Sequence, residues 1–169
     1  MVAIRIRQAQ ISDAERLADI GFRAWESGIL PILPDRPGLR ENERRRLEQA
    51  ASDQLERIIV AEVDGVLGGW CSRSARGAYI PYLLVAPEFQ GMGLGSALLQ
   101  RMEAMLELRG ATRVQLETPA DNLSAVRFYQ RQGYRILAMR ADGSGTHEAL
   151  MSVHLEKLLR PFAGDVGDD

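Results

Sequence analysis

The stretch "LLVAPEFQGMGLGSALLQRME", residues 83 to 103, constrains the fold more than any other. An apolar run leads into three glycines in five positions, Gly91, Gly93 and Gly95, and directly into a strongly helical segment. Glycine so close to a helix start costs helix stability, so the backbone there either turns loosely or closely approaches something. With the strand "TRVQLET" that follows, residues 78 to 118 read as strand, glycine turn, helix, strand. Parallel strands need such a crossover, so this segment is the one clear parallel unit of the chain.

The remaining pattern is arranged around that unit. "AIRIRQA" alternates apolar and charged residues as a strand does, and Ser12 with Glu15 predicts a capping box for the helix "DAERLADIGFRAW". "GILPILPDRPG" is a Pro- and Gly-rich loop, and "LRENERRRLEQAASDQLE" is a charged amphipathic helix. "RIIVAEV" and "VLGGWCSRS" flank Asp64-Gly65, a two-residue hairpin signal. "GAYIPYLLVA" reads as a further strand in which Pro81 predicts an irregularity or bulge. Gly110 stops the helix after the glycine turn, and Asp121 or Asn122 caps "LSAVRFYQRQ", which Gly133 closes. "YRILAMRA" and "EALMSVHLEKL" finish as strands joined by the turn "DGSGT". The order β-α-α-β-β-β-α-β-α-β-β predicts an α/β fold: a mixed, mostly antiparallel sheet of about seven strands with helices on both faces. The expected organisation is one domain over residues 1–160 and a solvated, flexible tail over 161–169.

Composition removes several classes of function. The 169 residues suffice for one full hydrophobic core, and a formal net charge of -2 offers nucleic acid or an anionic membrane no electrostatic footing. No run has the length of a membrane-spanning helix, and "MVAIRIRQAQ" lacks a signal-peptide core, so a cytoplasmic protein is expected. The single cysteine, Cys71, lies in an apolar run as a core residue would, and it excludes an intramolecular disulfide. His147 and His154 show no metal-ligand spacing, so no metal is expected.

A helix N-terminus carries unsatisfied N–H groups and a partial positive charge, which together form an anion site. Three phosphate-binding patterns compete for the glycines. The P-loop requires Lys followed by Ser or Thr, which is absent. The dinucleotide fingerprint fails at its sixth position, which is Ser96 counted from Gly91 and Leu98 counted from Gly93. The third pattern, Q/R-x-x-G-x-G/A, is met by Gln90, Gly93 and Gly95. Here the sequence resembles the GCN5-related N-acetyltransferase (GNAT) family, in which the corresponding strand, loop and helix bind the coenzyme A pyrophosphate. About thirty residues on, "NLSAVRFYQRQGY" resembles the family's second signature, N-x-x-A-x-x-F-Y-x-x-x-G-F, with Tyr134 in the last position.

The resemblance implies the acyl-CoA N-acyltransferase (GNAT) fold, acetyl-CoA as cosubstrate, and acetyl transfer to a primary amine by direct attack through a tetrahedral intermediate. It places coenzyme contacts on Leu83, Leu84 and Val85, on Gln90, Gly91, Met92, Gly93, Leu94, Gly95 and Ser96, and on Asn122, Ala125 and Tyr129. Backbone groups of Leu83 to Val85 would pair with the pantetheine amides, and an N–H at or beside Val85 would polarise the thioester carbonyl. That arrangement requires strands 79–85 and 113–118 to splay apart. Tyr129 matches the tyrosine that protonates the departing thiolate; packing beside Phe128 is the competing reading. Glu117 is the candidate base, as in relatives that acetylate protein N-termini; an exposed strand-end acid is the alternative.

The acceptor side is formed in the family by the first helices, their loop and the last strands. Here those regions contain Trp25, Tyr79, Tyr82 and the surroundings of His147. Arg44 to Arg46 would either attract an acidic substrate or form a solvated helix face. The acceptor is expected to be a small-molecule amine or a peptide N-terminus, and a homodimer is the family-level expectation. The alternatives are a catalytically silent coenzyme A-binding sensor or interaction domain, and, behind it, a dinucleotide-binding protein.

Overall fold

The computed structural model describes residues 3–141 and 151–159. The expected "DGSGT" turn, His147 and the tail lie outside the described residues. The elements are β1 (Ile4–Gln8), α1 (Ala14–Gly28), α2 (Leu39–Asp53), β2 (Ile58–Val63), β3 (Val66–Ser72), β4 (Tyr82–Val85), α3 (Leu94–Leu108), β5 (Arg113–Pro119), α4 (Leu123–Arg131), β6 (Arg135–Arg140) and β7 (Ser152–Leu158). This is the expected order.

The seven strands form two antiparallel sheets, β1-β2-β3-β4 and β5-β7-β6. β2 lies inside the larger sheet and is apolar on both faces, so its residues alternate between two cores. Ile59 and Ala61 face a core made with Leu98, Leu99, Met102 and Leu106 of α3, together with Val114, Leu116, Val153 and Leu155 of the smaller sheet. Ile58 and Val60 face a second core made with Leu17, Ile20 and Trp25 of α1, Leu47 of α2, and Trp70. Helices therefore cover both faces of the larger sheet. Trp70 ties them together by donating its indole N–H to the Leu17 carbonyl at 2.9 Å. Cys71 is fully buried in the first core, where burial pushes its thiol well above the usual range and keeps it unreactive.

The turn signals hold where backbone conformation demands them. Asp64 and Gly65 adopt φ of 51° and 81°, the paired positive values of a type I′ hairpin between β2 and β3. Asn122 caps α4, its side chain accepting the Ala125 N–H at 3.4 Å. The predicted Ser12–Glu15 box is replaced by one two residues upstream, formed by Gln10 and Asp13. Its cause lies on β1, where Arg7 donates to both Asp13 oxygens at 2.8 and 3.0 Å and fixes the carboxylate that accepts the Gln10 N–H.

A close approach between β3 and α3 sets the position of the glycine turn. A Cβ on Gly68 would lie 2.7 Å from both Leu94 Cδ2 and Phe89 Cγ. Only glycine on that strand lets the turn and the first residue of α3 press against the sheet.

Candidate active site

β4 and β5 touch before β4 begins and then part. The Ile80 N–H donates to the Gln115 carbonyl at 3.1 Å, and the Gln115 N–H donates to the Ala78 carbonyl at 2.9 Å. This makes a single parallel bridge between Tyr79 and Gln115. Beyond Pro81 the strand pairs with β3, and the Ala86 N–H donates to the Gly68 carbonyl at 2.9 Å. Ile80 faces β5 and Ala86 faces β3, although both are even-numbered. The strand has therefore changed phase by one residue, and Pro81, which has no N–H to offer a ladder, sits at the change. This is the predicted irregularity, and it shortens the predicted strand at its start. Because backbone groups alternate sides along a strand, Leu83 and Val85 turn their amides away from β3 and into the gap.

A cleft of about 550 Å³ fills that gap. Leu83, Leu84 and Val85 line it from β4, and Gln90, Gly91, Gly93, Leu94, Gly95 and Ser96 line it from the turn and α3. Asn122, Ala125 and Tyr129 line it from around α4, Glu117 from β5, and Trp25 and Tyr82 from the α1 side. Two expected residues lie outside the lining. Met92 is 44% exposed, and Tyr79 stands behind Glu117. Sequence reasoning missed Phe89, Ser124, Arg131 and Ser152 on the cleft wall; it read Arg46 as either attracting an acidic substrate or lying on a solvated face, and Glu43 only as part of a charged helix.

At one end of the cleft, Gly91 and Gly93 adopt φ of 77° and 90°, the left-handed region that side chains avoid. The first intrahelical bond of α3 runs from the Ala97 N–H to the Gly93 carbonyl at 3.0 Å, and no side chain caps this helix. The N–H groups of its first turn thus have no intrahelical partner, and the macrodipole adds positive potential. This donor set fits a pyrophosphate. The Gln90 amide donates to the Val85 carbonyl at 3.4 Å and ties the turn to β4. At the opposite wall Gln132 donates to Ser96 Oγ at 2.9 Å and holds α4 against α3.

Midway, the Tyr129 ring packs edge-on against Phe128 and Tyr134, with centroids 5.3 and 5.7 Å away. Burial pushes its hydroxyl pKa well above the usual value, with smaller contributions from Cys71 and Tyr79. It therefore holds its proton at neutral pH, as a proton donor must. Tyr134, the departure from the second signature, is accommodated because its hydroxyl donates to Glu103 at 3.3 Å, and Lys157 binds that same carboxylate at 3.0 Å.

The other end of the cleft is aromatic and charged. Tyr82 packs on Trp70 at 5.4 Å, and Arg46 pairs with the buried Glu43 at 2.5 Å. Glu117 is partly buried, with its Oε2 lying 3.2 Å from Nε2 of His154 on β7. The Tyr79 hydroxyl approaches the same carboxylate, and burial first, then that charge, raise its pKa. Among the described residues, no group of His, Cys, Asp and Glu is placed to hold a metal ion, and no helix is long and apolar enough to cross a membrane.

Known proteins share this fold. The fold superposes on the PaiA N-acetyltransferase of Thermoplasma acidophilum, solved in complex with coenzyme A, with a TM-score of 0.76 at 18% identity over 92% of this chain and 99% of that one. The ribosomal-protein-S18-alanine N-acetyltransferase of Escherichia coli gives 0.71 at 20% identity, over 97% and 99%. Ard1 of Thermoplasma volcanium gives 0.69 at 23%, over 95% and 100%. A sequence model of the acetyltransferase (GNAT) family matches residues 21–134. That match spans the glycine turn, both strands of the splay and the second signature, and the chain belongs to the acetyltransferase (GNAT) family.

Proposed function

We propose that this protein transfers an acetyl group from acetyl-CoA to a primary amine, carried either by a small molecule or by a peptide N-terminus. The observation that carries this reading is the open gap between β4 and β5. One of its walls ends in uncapped helix N–H groups, and the other carries Tyr129 and Glu117. Members of the family are acyltransferases that act on such amines.

When bound, acetyl-CoA supplies an activated acyl group. The residues of the chain then have separate tasks. The first turn of α3 and the glycines before it hold the pyrophosphate. Leu83 and Val85 offer outward-facing amides to the pantetheine arm, as a sheet edge does to an added strand. Asn122 caps α4 through its oxygen, which leaves its amide nitrogen as a donor for the same arm. An N–H at or beside Val85 that the arm leaves unpaired stabilises negative charge on the carbonyl oxygen. An alkylammonium with a pKa of about 10.4 arrives charged, so Glu117 takes its proton through water. Tyr129 donates its proton to the departing thiolate.

Thiol release from acetyl-CoA tests this reading. The panel comprises peptides with free N-terminal Ala, Ser and Met, benzylamine, and a linear alkyl diamine. Turnover on at least one amine, lowered about tenfold to a hundredfold in Tyr129→Phe, is the expected result. Coenzyme binding with no turnover on any amine, above the hydrolysis blank, would establish the silent sensor instead.

A further inference from the structure

His154 has no part in the roles derived above, yet it stands directly across β5 and β7 from Glu117 in the strand register. Its Nε2 is buried and lacks a hydrogen-bond partner among the described residues, although it lies 3.2 Å from Glu117 Oε2. The distance suits a hydrogen bond, but none is formed. Two groups so placed complete their contact when one proton is shared between them. The side chain nevertheless keeps 23% of its surface exposed, so the imidazole spans the distance from the carboxylate to solvent.

The surroundings leave Glu117 as its evident proton partner. From β5, Glu117 faces His154 and Gln115 lies one same-face position away; from β6 the directly opposed residue is Ala138. Along β7 the next residue on that face is Glu156, whose oxygens already accept from Arg113, Arg135 and Gln115 at 3.1–3.2 Å. Tyr79 approaches Glu117 from the end of the parallel bridge.

We propose that His154 is a positioning residue for Glu117 and the exit for the proton that Glu117 removes, an inference that rests on reading Glu117 as the base. The ammonium of the acceptor gives one proton, through water, to a Glu117 oxygen and becomes a neutral amine. Glu117 passes that proton to Nε2 of His154 and returns to a carboxylate. The imidazolium releases a proton from its other ring nitrogen, Nδ1, to solvent, and tautomeric exchange through solvent returns the N–H to Nδ1 and frees Nε2 before the next turnover. Histidine suits this step because it has two ring nitrogens, one to accept a proton and the other to release one.

The test compares the fastest ammonium acceptor of the panel with methoxyamine, a nucleophile that is neutral at assay pH and needs no base to strip a proton before attack. Basal hydrolysis of acetyl-CoA gives the same comparison if the panel amines are slow, because water must also lose a proton. His154→Gln is expected to lower kcat on the ammonium acceptor about tenfold or more and to leave methoxyamine turnover within about twofold. Added imidazole is expected to restore part of the loss in His154→Ala, and coenzyme Kd and Tm should stay near wild type. Equal losses on both nucleophiles without imidazole rescue, or no loss on either, would overturn the proposal. Glu117→Gln is run alongside. If it turns over the ammonium acceptor like wild type, the base reading itself fails. If it is impaired while His154→Gln is not, only the relay fails.

Discussion

The proposed acyl transfer has two opposite proton requirements, a donor and a base, and the surroundings of Tyr129 and Glu117, proposed for those roles, differ accordingly. Tyr129 is walled by aromatic rings and kept protonated by burial. Tyr129→Phe is expected to lower kcat about tenfold to a hundredfold with little change in coenzyme affinity; unchanged turnover would remove its acid role. Glu117 lines the cleft beside a histidine and a tyrosine. Glu117→Gln is expected to cut activity most at low pH, where more of the amine is protonated, so a kcat/KM profile measured across pH checks it. A uniform loss would indicate structural damage instead. Tyr129 and Asn122 were legible because a local signature fixes their spacing on one helix. His154 was not, because its partner is set by cross-strand register, and no local spacing encodes which residue of β7 meets Glu117.

At the scale of elements, the cleft depends on where the α3 N-terminus sits and on the phase change at Pro81. Gly93 has φ of 90°, and a β-branched side chain there is strained whatever space surrounds it. Gly68→Ala would place a Cβ 2.7 Å from Phe89 and Leu94, which must yield by moving the turn. That change is expected to destabilise by about 1–3 kcal/mol and to weaken coenzyme binding, as thermal melts and calorimetry together would show. A full-affinity variant would mean that the turn tolerates displacement. The glycine turn was legible from its composition as an unusual backbone approach at a helix N-terminus, which the positive φ of Gly91 and Gly93 bears out. The start of β4 was less so, since Pro81 marks an irregularity without saying that the strand breaks its pairing with β5 there. The α1 entry was misplaced by two residues, because Arg7, a distant residue in the local pattern, chooses Asp13.

For the whole molecule, the two-sheet fold is held partly by ion clusters that join strands. Glu156 is 2% exposed, and its carboxyl pKa is held low chiefly by Arg135, with Gln115 and Arg113 adding to the effect against the cost of burial. Asp13 is likewise held low, chiefly by Arg7. A carboxyl whose folded-state pKa is depressed contributes stability above its unfolded value, about 4.3 for glutamate, and that contribution disappears as pH falls through the folded value. Tm is therefore expected to fall below about pH 4–5. Glu156→Gln should lose about 1–3 kcal/mol at pH 7 and show a shallower acid decline; an unchanged slope would assign acid lability elsewhere. The order of elements was legible throughout the described residues, because hydrophobic period distinguishes helix from strand. The division into two sheets was not: the pattern predicted one mixed sheet, and only the family resemblance implied that strands 79–85 and 113–118 splay apart.

The central claim is that the uncapped N-terminus of α3, shaped by glycine, binds the coenzyme. Isothermal titration of coenzyme A into the wild-type protein and into Gly93→Val tests it most directly, with Tm recorded for both. The account predicts saturable one-site binding by the wild type and its loss in a variant that still melts cooperatively. Binding by Gly93→Val as tight as by the wild type would contradict it, as would no binding by the wild type.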